Sequence, residues 1–172
     1  VYGEKALRGE IPISGAKNAA MKMVASAVLT EEPVELKNVP EIKDVEVMLR
    51  IFKRLGGEVK KKKKGHYILC GAKIKDGNLN FSLVSKLRGS IVFVGPLLAR
   101  FGEVVFPFPG GCHIGARPIS THLKLFADLG AEVEEKEGLF HLKLSKPKQR
   151  TVVLDEMSVT ATENAILFAS LC

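Results

Sequence analysis

Asp44–Val59 reads DVEVMLRIFKRLGGEV, and Pro118–Val133 reads PISTHLKLFADLGAEV. In the first stretch Val45, Met48, Phe52 and Leu55 fall on one face of a helix; Ile119, Leu123 and Phe126 do so in the second. Each helix stops at a glycine, Gly56 or Gly130, that can take the left-handed C-cap conformation. Glu58–Cys70 and Glu132–Leu144 then read as hairpins that turn near Gly65 and Gly138. Working outward, a strand precedes each helix, Val34–Val39 and Val104–Phe108. A helix rich in small and apolar residues precedes each strand, at about Ala16–Leu29 and about Val84–Ala99. The second of these contains Gly95 and Pro96, which should kink or shorten it. A third copy opens with a strand at Thr151–Leu154 and a helix at Val159–Leu171. The unit is helix, strand, helix, hairpin, seen twice and then begun again. Helices this poor in charge belong inside, with the strands outside them, which gives an α/β lobe of repeated units.

A length of 172 residues suits a single lobe over 1–172, or one domain, with enough chain to bury a core. The apolar run Ile91–Leu98 is interrupted by Gly95 and Pro96, so no transmembrane span is expected. Val1–Ala20 is studded with Lys, Glu and Gly and does not read as a signal peptide. Cys70, Cys112 and Cys172 are too scattered for a disulfide framework or a zinc site, and a cytoplasmic location is expected. The net charge is +7, and much of the excess sits in Lys60–Lys64. That run lies within the first hairpin and reads as solvated edge protection, not as a nucleic-acid patch, because no aromatic stacking platform accompanies it.

If the copies are arranged alike, the starts of the apolar helices emerge on one side of the lobe. Helix N-termini offer unpaired N–H groups and about half a positive charge each, a ready anion site. Lys17, Asn18, Arg88 and Thr162 stand near those starts. Ser14 is the expected N-cap of the first helix, and Lys17 in its first turn opposes the dipole, which an anionic ligand or plain solvation would explain. The glycine-rich stretch Pro107–Pro118, PFPGGCHIGARP, sets Cys112 beside His113 and Arg117. Both can lower a thiol pKa, and Arg117 just before Pro118 suits bidentate capture of phosphate or carboxylate. On spacing alone Cys112 reads more readily as a small filler or incidental thiol than as a nucleophile, and His113 and His122 as ordinary polar residues.

LRGEIPISGAKNAA, LLARFGEVVFPFPGGCHIGARPISTHL and SVTATEN resemble the enolpyruvyl transferases, and among them the UDP-N-acetylglucosamine 1-carboxyvinyltransferase family of early peptidoglycan synthesis. The resemblance runs along essentially the whole chain. It implies an inside-out α/β barrel lobe, transfer of enolpyruvyl from phosphoenolpyruvate to the sugar 3-hydroxyl of UDP-N-acetylglucosamine, and no cofactor or metal. It further implies that Lys17 and Asn18 contact phosphoenolpyruvate and the sugar side, and that Arg88 reaches the substrates across the cleft. Cys112 would be the proton donor and form a pyruvate adduct, while Arg117 would hold phosphate. Pro118, Ile119, Ser120 and Thr121 would line the UDP site with His122 nearby, and Ser158 and Val159 would contact the nucleotide.

Two positions depart from the family pattern: Glu156 where a lysine is usual, and Thr160 where glycine is frequent. Family members are more than twice this long and close two lobes on their substrates. A missing second lobe and little turnover by these residues alone are therefore expected. The alternatives are a sibling transferase that makes enolpyruvyl-shikimate phosphate, which shares the repeat but not this Cys loop, and a non-catalytic ligand- or RNA-binding lobe.

Overall fold

The computed structural model describes residues 3, 6, 8–79, 81–110 and 118–172. The first copy runs α1 (Lys17–Ser26), a 3-10 turn (Ala27–Leu29), β1 (Val34–Leu36), α2 (Lys43–Arg54) and the hairpin β2 (Glu58–Lys63) and β3 (His66–Cys70). The second runs through 3-10 turns at Val84–Lys86 and Arg88–Phe93 into α3 (Val94–Phe101). It continues with β4 (Glu103–Pro107), α4 (Ser120–Asp128) and the hairpin β5 (Glu132–Lys136) and β6 (Leu139–Lys143). The third contributes α5 (Val159–Ala169). The two sheets have the same antiparallel plan, β1-β3-β2 and β4-β6-β5, so each returning hairpin strand sits between its partner and the strand from upstream.

The repeat is reproduced down to its caps. Gly56 and Gly130 have φ of 103° and 105°, the left-handed turn that ends α2 and α4. The next residue donates back into the helix in both copies, Gly57 N–H to Phe52 O at 3.0 Å and Ala131 N–H to Phe126 O at 2.9 Å. The second hairpin turns on Glu137 and Gly138, both at positive φ, the geometry whose twist matches a two-residue connection.

The helices are central. Ser90–Leu98 is buried without a break, whereas β2 is exposed at every position but the half-buried Val59. Val45, Met48, Phe52 and Leu55 point into the core as their spacing requires; Ile119, just before α4, and Phe126 within it do the same, while Leu123 is half-buried. The helix expected at Val84–Ala99 is two 3-10 turns followed by α3 from Val94. Pro96 therefore falls in the first turn of α3, where its missing N–H has no partner to lose. Thr151–Leu154, expected as a strand, joins no sheet among the described residues. Ser14 does not cap α1; the N-cap position is Ala16 and carries no side-chain bond. No helix among the described residues is long and apolar enough to cross a membrane.

Packing between α3 and α5 depends on one small residue. A Cβ on Gly95 would lie 2.5 Å from the Asn164 carbonyl oxygen, so the two backbones meet only because the side chain is absent.

Candidate functional site

Lys17 and Asn18 open α1 and are exposed. The Lys17 ammonium donates to Asp44 Oδ2 at 2.9 Å, and so is held by a carboxylate in the first turn of α2. Gly89 lies against Met21, one turn beyond Lys17: a Cβ there would be 3.2 Å from the Met21 sulfur. This contact brings the start of α1 alongside the segment that carries Arg88. Lys22 of α1 also pairs with Glu163 of α5 at 3.2 Å, which ties the first copy to the third.

Arg88 is gripped from both flanks of the cysteine loop. Its guanidinium donates to the Pro118 carbonyl at 2.7 Å and lies 5.8 Å from the centre of the Phe108 ring. Phe108 precedes the loop and Pro118 follows it. Cys112, His113 and Arg117 lie outside the described residues. Pro118 and Ser120 are exposed, while Ile119, Thr121 and His122 are turned inward.

The inward residues lead to a polar centre that the sequence reading did not single out. Among the described residues, the buried polar side chains are Ser90, Thr121, His122 and Asn164, and none belongs to the first copy. The Asn164 amide is its hub. Its Oδ1 accepts the Gly95 N–H at 2.8 Å, and its Nδ2 donates to Ile91 O at 3.0 Å and to His122 Nδ1 at 3.1 Å. A backbone N–H can only donate and a carbonyl only accept, so these partners fix which way the amide points. His122 Nδ1 is then an acceptor, and the proton sits on Nε2, which donates to Thr160 Oγ1 at 3.1 Å. Burial, with the Arg88 charge nearby, pushes His122 down to about 4, so the ring is neutral at pH 7.

Glu156 and Thr160 both bond to residues of this centre. Thr160 accepts from His122, and Glu156 accepts from the Thr121 hydroxyl at 2.9 Å. Ser158 caps α5, its Oγ accepting the Ala161 N–H at 3.3 Å, and Val159 beside it is exposed. A cavity of about 490 Å³ opens here, lined by Leu154, Met157 and Val159 with Ser158, Thr162 and the carboxylates Glu156 and Glu163. The structure thus joins Arg88, Pro118, Thr121, His122 and Ser158 in one region, with Lys17 and Asn18 beside it on α1. Asn164 is legible in the sequence only as the last polar residue of Thr160–Asn164, ahead of the apolar Ala165–Ala169 of α5. Among the described residues no group of His, Cys, Asp or Glu is placed to hold a metal ion.

The family model described as EPSP synthase (3-phosphoshikimate 1-carboxyvinyltransferase) matches residues 1–172. A UDP-N-acetylglucosamine 1-carboxyvinyltransferase of Treponema denticola is 47% identical over 99% of this chain, and the match spans 40% of that protein. One from Carboxydothermus hydrogenoformans is 44% identical over 99% of the chain and 40% of its own length. The chain thus spans about two fifths of the curated relatives it matches. Among solved structures, the enolpyruvyl transferase NikO from Streptomyces tendae superposes with a TM-score of 0.77. It is 22% identical and covers 96% of this chain and 39% of its own. EPSP synthase from Acinetobacter baumannii superposes with a TM-score of 0.70 at 17% identity, covering 96% of this chain and 39% of its own. Both share the fold, helices inside and sheets outside, in which the repeats of this chain are built. With the match running from its first residue to its last, the chain belongs to the EPSP synthase (3-phosphoshikimate 1-carboxyvinyltransferase) family.

Proposed function

We propose that this chain is the cysteine-bearing lobe, residues 1–172, of a cytoplasmic UDP-N-acetylglucosamine 1-carboxyvinyltransferase that serves peptidoglycan synthesis. The observation that carries this reading is the 47% identity over 99% of the chain to a relative of that name. The site residues are assigned as follows. Cys112 delivers a proton to C3 of phosphoenolpyruvate, which makes C2 electrophilic. The sugar 3-hydroxyl loses its proton to the general base of the second lobe as its oxygen bonds to C2, which gives a tetrahedral intermediate. Breaking the C2–O bond to phosphate, with loss of a proton from C3, restores the vinyl group and releases phosphate.

Phosphate and carboxylate bring negative charge that Lys17, Arg88 and Arg117 neutralise in a partly dry cleft. Asn18 adds a polar contact on the sugar side. Pro118, Ile119, Ser120, Thr121, His122, Ser158 and Val159 form the nucleotide wall. His122, neutral and bonded on both ring nitrogens, serves this wall by position and not by charge. A second lobe supplies the remaining groups, including the general base.

Phosphate release from phosphoenolpyruvate tests the reading. The intact protein is expected to turn over with UDP-N-acetylglucosamine and not with shikimate 3-phosphate, and Cys112→Ala to abolish turnover. Preference for shikimate 3-phosphate would instead support the sibling activity. Residues 1–172 alone are expected to show little or no turnover, and robust release from them would overturn the lobe assignment.

A further inference from the structure

The two copies treat the outer face of their second helix differently. In the second copy, the segment after the hairpin neutralises α4. Asp155 pairs with Lys124, and Arg150 pairs with Asp128 at 3.4 Å. In the first copy, the corresponding segment brings Phe81, Ser82, Leu83 and Lys86 against Arg50, Lys53 and Arg54 of α2. The result is a groove of about 450 Å³ with four cations on its walls and no carboxylate among its lining residues. Arg50, Lys53, Arg54 and Lys86 are all exposed, and among the described residues none has an ion-pair partner. A second hollow continues from it past Arg54 and Phe81 to Lys73 and Lys75, with Asp76 as its carboxylate.

Lys53 and Arg54 stand in the last turn of α2, where cations complement the helix dipole. That effect fades within a turn and does not account for Arg50, nor for Lys86 arriving from another element. Four like charges facing one groove repel each other, and an anionic occupant relieves that repulsion.

We propose that this groove is a docking site for an acidic segment of a partner protein. Two arginines supply planar forks that take carboxylates bidentately. Arg50 and Arg54 are one helical turn apart, about 6 Å, close to the spacing of alternate side chains along an extended strand. The half-buried Phe81 and Leu83 line the groove and give apolar side chains of such a segment something to cover. Nucleic acid fits less well. Phe81 is the one aromatic side chain in the lining, and it is already half covered, so there is no platform for successive bases.

The test uses the intact protein and a fluorescein-labelled short peptide of alternating glutamate and leucine, read by anisotropy. Binding that weakens as salt rises is expected, with a loss of about tenfold or more in Arg50→Glu/Arg54→Glu. Lys86→Glu, from a different element, is expected to weaken it as well. Lys60→Glu/Lys62→Glu makes the same change in net charge on β2 and is expected to leave binding unchanged. Equal loss in both double variants would overturn the proposal in favour of unspecific attraction. So would absence of binding, or oligouridylate or tripolyphosphate binding this groove more tightly than the peptide.

Discussion

Counted back from their capping glycines, Met48 in α2 and His122 in α4 occupy the same place, as do Val47 and Thr121. Met48 is wholly buried among apolar neighbours, while His122 is equally inward but bonded on both ring nitrogens. One backbone plan has thus been filled in two ways. The first copy fills this place by packing alone, which tolerates many side chains of suitable volume. The second closes on a polar network with one satisfied arrangement, and that network includes His122 and adjoins the other residues assigned to the nucleotide wall. Packing suffices where only the fold is needed; directional bonds appear where side chains must be aimed.

Removing the hub should break the contrast most severely. Asn164→Ala strands the Gly95 N–H, the Ile91 carbonyl and His122 Nδ1 in a buried setting, and should cost about 4 kcal/mol. Denaturant unfolding measures this, and a loss under about 1 kcal/mol would mean the network relaxes onto water. Next in size is a pH effect. Unfolded, His122 takes its ordinary value near 6.5; folded, it stays neutral down to about 4. Between those limits the unfolded chain holds the extra proton, so stability is full above pH 6.5 and falls as the pH drops toward 4. The loss should reach roughly 3 kcal/mol.

His122→Met makes the second copy resemble the first and should abolish that dependence, at a cost of about 1 kcal/mol at pH 7. Urea titrations at several pH values would show it, and an unchanged pH profile would assign the effect elsewhere. The smallest effect belongs to the surface. Lys124→Ala removes an exposed pair with Asp155 and should leave the melting midpoint within error. A clear drop would mean that this pair, absent from the first copy, anchors the segment leading into α5.

The repeat was legible because it rests on periodic signals: apolar residues at helical spacing, a glycine after each helix, and alternating hairpins. Helix ends were harder to read. Ser14 looked like a cap by residue type, yet α1 starts after Ala16 because caps are set by where the backbone turns. The Val84–Ala99 reading had the right burial but missed the 3-10 geometry before Val94, which hydrophobicity does not encode. At the site, Arg88, His122 and Ser158 were singled out by resemblance, and the structure brings them near one another. Their connection was not legible. His122, Thr160 and Asn164 meet only when helices far apart in sequence pack together, and Glu156 finds Thr121 the same way. Lys17 stood out as a cation against a helix dipole, but Asp44 as its partner came from the next helix.

The Asn164 amide also carries a timetable. It bonds to Ile91, 73 residues earlier, and to Gly95, 69 residues earlier. The first copy also waits for a distant partner, since Arg100 donates to the Val28 carbonyl 72 residues earlier, but Arg100 is made before α5. The second copy waits for α5 itself. At roughly 5–20 residues per second of synthesis, its central backbone groups and the His122 ring stay unfinished for about 4 to 15 s after Ile91 is made. A nascent chain halted before α5 would therefore hold one closed copy and one still wet at its centre.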